Sequence, residues 1–101
     1  MIEELLLEMR IEMENSFIKY QIYRHNDGRE YPFKLLYTFK GTNIMLGASK
    51  SHKTLEDALK EVIQKLIKER KYIRSVSYKF TNKELAKKME NAFVDFLLRI
   101  I

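Results

Sequence analysis

The chain of 101 residues contains no cysteine, one proline and three glycines. Without thiols it has no disulfide, no cysteine-ligated zinc and no thiol nucleophile. Gly28, Gly41 and Gly47 stand apart from one another, so no glycine-rich phosphate loop is present. No apolar run approaches the roughly 20 residues that cross a bilayer. The greasiest stretch, 93–101, is interrupted by Asp95 and Arg99. Glu3 and Glu4 occupy the region where a secretory leader carries positive charge, which points to a cytoplasmic protein with no membrane partner. His25 and His52 belong to no metal-ligand spacing, and no serine lies in a nucleophile elbow. The expectation is a non-enzymatic protein with no catalytic residue, metal or cofactor.

What the chain does contain is periodicity. Tyr31, Phe33, Leu35, Tyr37 and Phe39 alternate with Pro32, Lys34, Leu36 and Thr38, the period of a strand with one greasy face. Pro32 removes a backbone donor near its start, which suggests an edge or a bulge there. Further on, Leu55, Ala58, Leu59, Val62, Ile63, Leu66 and Ile67 fall on one stripe of a helix. Thr54 to Asp57 reads as its capping box. Ile18, Tyr20 and Ile22 indicate a strand over 17–24, and His25 to Gly28 a hairpin turn. Ile44, Leu46 and Ala48 indicate a third strand; 72–80 reads as a fourth, lying parallel to a neighbour.

Ile2, Leu5, Leu6, Met9 and Met13 share a helical face, so residues 1–15 read as an acidic first helix. Thr81 to Glu84 is a capping box for a last helix over 82–101. The expected fold is α+β: one two-layer domain in the order α-β-β-β-α-β-α, with a central unit over 17–80. Its antiparallel three-stranded meander gains the fourth strand, and the helices pack on one face. The last helix is apolar nearly all round, which points either to packing between the sheet and the first helix or to a homodimer through Val94, Leu98 and Ile101.

The net charge of +5 is uneven. Residues 1–15 hold five acids against Arg10, whereas 65–88 hold nine cations against two acids. Such asymmetry can mark a basic binding surface beside an acidic arm. The segment Lys50, Ser51, His52 and Lys53 leads into a helix N-terminus, where backbone N–H groups, hydroxyls and lysines suit a phosphate. Lys68, Arg70, Lys71 and Arg74, with Lys34 and Lys40 on the polar sheet face, complete the anion-binding candidates; on that face Lys19, beside Phe17 and Tyr23, adds charge and stacking.

Gly47, Ser51, His52 and Lys53, after three strands, resemble the strand end and basic run of double-stranded RNA-binding domains over residues 1–70. Leu55 and Glu56 stand where that family has a small and a basic residue. Thr54-Leu55-Glu56-Asp57-Ala58-Leu59 is similar to the segment that opens the helix of HicB-type antitoxin domains, whose β-β-β-α-β core would cover 17–80. The strands lack the acids of a ribonuclease H site, so this resemblance implies no cleavage. Two functions follow as expectations. One is a nucleic-acid-binding module using a basic surface. The other is a dimeric protein-binding inhibitor, antitoxin or adaptor that acts on a nucleic-acid-handling partner.

Overall fold

A computed structural model describes residues 3–83 together with 86, 87 and 95. Five strands, β1 (Glu3–Met13), β2 (Ser16–His25), β3 (Phe33–Lys40), β4 (Met45–His52) and β5 (Ser75–Phe80), form one antiparallel sheet in the order β4-β3-β2-β1-β5. The helix α1 (Leu55–Glu69) and a 3₁₀ turn at Arg70–Tyr72 connect β4 to β5, which lie on opposite edges. The domain is α+β.

The first element is a strand, not the expected helix. From Leu7 onward Leu7, Met9, Ile11 and Met13 alternate with Glu8, Arg10, Glu12 and Glu14, and Leu7, Met9 and Ile11 are buried. Leu6 is an extra residue in the pairing of β1 with β2, where the register slips between Leu5 and Leu7. This bulge puts Leu6 and Leu7 both in the core and hides the two-residue period. Glu14-Asn15 then turns the chain, with Asn15 at φ 59, a conformation asparagine tolerates. A strand here supplies β5 with its partner, so β5 runs antiparallel to β1 rather than parallel to a neighbour.

β3 begins after Pro32 and is interior, paired on both sides. The proline carbonyl accepts the His25 N–H across the β2–β3 loop. The helix begins as the sequence indicates: Thr54 Oγ1 accepts the Asp57 N–H at 3.1 Å. Leu55, Ala58, Leu59, Val62 and Leu66 are buried, whereas Ile67 is exposed. They meet Ile18, Tyr20, Ile22 and Leu35 from the sheet in one core.

The chain leaving β5 is tied back to the bulge. Thr81 donates its N–H to the Leu6 carbonyl at 3.0 Å and its hydroxyl to the Leu5 carbonyl. Asn82 and Arg24 donate to the two oxygens of Glu4, at 2.8 and 2.9 Å, and hold its carboxyl below the usual range. Lys83, Ala86, Lys87 and Asp95 are helical. The rest of the expected last helix, including Val94, Leu98 and Ile101, lies outside the described residues.

Burial pushes the Tyr20 phenol well up; nearby Tyr37, whose ring centre is 5.5 Å away, adds to the rise. The folded state therefore keeps a proton that the unfolded chain loses at about pH 10. Stability from this group is complete below that pH and falls as pH rises beyond it. Thermal melts should show a falling midpoint above pH 10, and Tyr20→Phe should make the fall shallower. An equal fall in the variant would refute the assignment.

Candidate nucleic-acid interface

The strand registers place every side chain of the sheet on one of two faces. Core residues and α1 occupy the first. The second carries four rows that run from β4 towards β5. The top row is Met45, Lys40, Phe17, Glu12 and Ser75; next come Gly47, Thr38, Lys19, Arg10 and Ser77. The third is Ser49, Leu36, Gln21, Glu8 and Lys79, and the last Ser51, Lys34, Tyr23 and Leu5. Each of these residues is half-buried or exposed.

Charge divides this face. Its three carboxylates, Glu3, Glu8 and Glu12, all lie on β1, with Glu3 paired to His25 beyond the last row. Gln21 donates to Glu8 at 2.9 Å, Lys19 approaches Glu8 at 3.9 Å and Arg10 binds Glu12. The part built from β2, β3 and β4 holds no acid. It presents Lys19, Lys34 and Lys40, with Phe17 and Tyr23 at its two ends. Six residues of strand separate the two rings, roughly 20 Å at the usual rise. Lys34 and Lys40 have no ion-pair partner among the described residues.

The Arg10 guanidinium lies 3.8 Å from the Phe17 ring centre. A guanidinium plane and an aromatic ring both accept a stacked base. Burial, with Glu3 and Glu8 nearby, raises the Tyr23 phenol, so this ring is neutral near pH 7. Lys40 and Phe17 also line a shallow depression of about 290 Å³ with Glu12, Asn15 and Gly41 beside the β1–β2 turn. The surface thus combines lysines on strands that carry no acid there, hydroxyls and flat rings.

The other candidates fall elsewhere. The segment read as a loop before the helix is the end of β4 as far as His52. Alternation sends Ser51 to the open face opposite Lys34, while Lys50 and His52 turn to the helix side. There Glu61 faces both, 3.3 Å from Lys50 and 3.6 Å from His52. Lys53 lies 3.8 Å from Glu30 and 5.5 Å from the Tyr31 ring centre. The helix N-terminus has Thr54 as its cap and Glu56 and Asp57 in its first turn, an acidic setting for a phosphate.

Lys68, Arg70, Lys71 and Arg74 gather where α1 ends. Lys71 and Arg74 line a cleft of about 330 Å³ with Met13, Glu14, Ser16, Tyr72 and Ile73. Glu14 lies 3.5 Å from Arg74, and Lys71 lies over the Tyr72 ring. Among the described residues, no group of three or more His, Asp or Glu side chains is placed to hold a metal. No described helix is long and apolar enough to cross a membrane.

Lys34 and Lys40 are therefore the sequence candidates that share the open face with Ser51. Lys19, Phe17 and Tyr23, also expected on the polar sheet face, lie there too, and Arg10 joins them. Arg10 was hidden because β1 reads as helix; in a strand, its pairing with Lys19 across the ladder puts it beside Phe17. No family model, curated protein or solved structure matches the chain.

Proposed function

We propose that this domain is a non-enzymatic module that binds single-stranded nucleic acid on the open face of its sheet. The observation that carries the reading is the acid-free area of β2, β3 and β4, with three lysines between two aromatic rings. Phosphates would lie along Lys19, Lys34 and Lys40, and bases would stack on Phe17, Tyr23 and the Arg10 plane. A broad sheet face of this kind suits splayed single strands better than a duplex groove. Stacking is tolerant of base identity, so sequence preference would be weak.

The test is fluorescence anisotropy with labelled single-stranded RNA and DNA at several salt concentrations. Three phosphate contacts on a single strand give a log–log salt slope of about −2. Saturable binding at low salt with that slope is the expected result. No binding at high micromolar protein and low salt would overturn the reading.

A further inference from the structure

β4 is an edge strand that no other element covers among the described residues. Met45 to Ser51 are all exposed, and their ladder to β3 runs without a bulge from Lys40↔Met45 to Phe33↔His52. Natural edges are commonly blunted by proline, by bulges or by lysines. β4 has no proline, and Lys50, its one lysine, is 3.3 Å from Glu61 on α1. On the open face β4 shows only Met45, Gly47, Ser49 and Ser51, none of them charged. Nothing along the strand repels a second strand of the same sequence.

The helix side of β4 carries both a knob and a hole. Leu46 is 52% exposed. Two residues on, the small Ala48 leaves a cleft of about 400 Å³, lined also by Leu35, Tyr37, Lys50, Glu61 and Lys65. Leu46 and Ala48 are of equal parity and point to the same face.

We infer that two copies of this chain pair through β4, antiparallel, about a two-fold axis at Gly47. In that register Leu46 lies opposite Ala48 of the partner subunit, and Leu46 of the partner subunit lies opposite Ala48. Each leucine enters the other copy's cleft, so the contact is self-complementary, as a closed dimer requires. Met45 falls opposite Ser49 and Ile44 opposite Lys50, so no like charges meet. The axis is perpendicular to the sheet, so both open faces lie on one side of a ten-stranded sheet. The acid-free areas then adjoin through uncharged β4. That last consequence rests on the nucleic-acid reading; the dimer itself does not.

The test uses the purified full chain without nucleic acid. Light scattering after size exclusion should give about twice 12.2 kDa for the wild type. Leu46→Lys should give a monomer with unchanged circular dichroism. Because the chain has no cysteine, Gly47→Cys adds a single thiol. A Cβ there meets nothing nearer than the Tyr37 carbonyl at 3.7 Å. Facing Cα atoms in an antiparallel ladder lie about 4.5 to 5.5 Å apart, within disulfide reach. Gly47→Cys should form disulfide dimers under mild oxidation, and Lys79→Cys on the β5 edge should not. A monomeric wild type, a dimer that Leu46→Lys leaves intact, or equal cross-linking at positions 47 and 79 would each overturn the inference.

Discussion

Val62→Asp is expected to leave no folded protein at 25 °C. Val62 is 0% exposed, on the buried stripe of α1. Losing its burial removes about 1.5–3 kcal/mol. Forcing a carboxylate into the same place costs several kcal/mol more, even if it protonates. A domain of this size is held together by about 5–15 kcal/mol in total. The substitution therefore consumes most or all of the stability. Gln64→Asp, two residues away on the exposed face, is the matched control and should change stability by less than about 0.5 kcal/mol. Far-UV circular dichroism with urea titration checks both. A Val62→Asp protein with the wild-type midpoint would show that α1 does not close the core.

Lys34→Glu combined with Lys40→Glu is expected to abolish nucleic-acid binding while leaving the fold intact. Both lysines lie on β3 in the acid-free area, without ion-pair partners among the described residues. Reversing both replaces two attractive phosphate contacts with two repulsive ones. The loss should be at least tenfold to a hundredfold at low salt, and the salt slope should shrink by about 1.4. The matched control is Lys68→Glu with Arg70→Glu, where α1 ends. It changes net charge equally but leaves the sheet face alone. If the two double variants weaken binding equally, the attraction belongs to overall charge and not to the face. Circular dichroism of each variant separates lost binding from lost structure.

The sequence conveys α1 almost completely, because one unbroken stripe of period 3.6 and a threonine cap coincide there. It also conveys β2 and β3, where alternation is clean and turn residues bracket the strands. β1 reads as a helix because one bulge residue, Leu6, shifts the phase of the alternation. Leu5, Leu6, Met9 and Met13 then mimic a helical face. The clean alternation from Leu7 to Glu14 was the available signal. β4 read as weak because its residues are small and exposed, the usual consequence of lying on an edge.

For the candidate site, alternation groups lysines on a polar face, but a run such as 50–53 does not show which way each side chain points. Lys50 and Ser51 are neighbours in sequence but face opposite sides of the sheet. Lys19, Lys34 and Lys40 are distant in sequence but share a face through the β2–β3 register. Only pairing between strands creates that area, so no local window of sequence contains it.

The most direct test of the open-face assignment is a ¹H–¹⁵N correlation titration of the chain with a short single-stranded oligonucleotide at low salt. Saturable shifts at Phe17, Lys19, Tyr23, Lys34, Thr38 and Lys40, with Glu61 and Lys65 on α1 unmoved, are the predicted result. Shifts confined to α1 and the turn at Arg70–Tyr72, or none at saturating oligonucleotide, would contradict it.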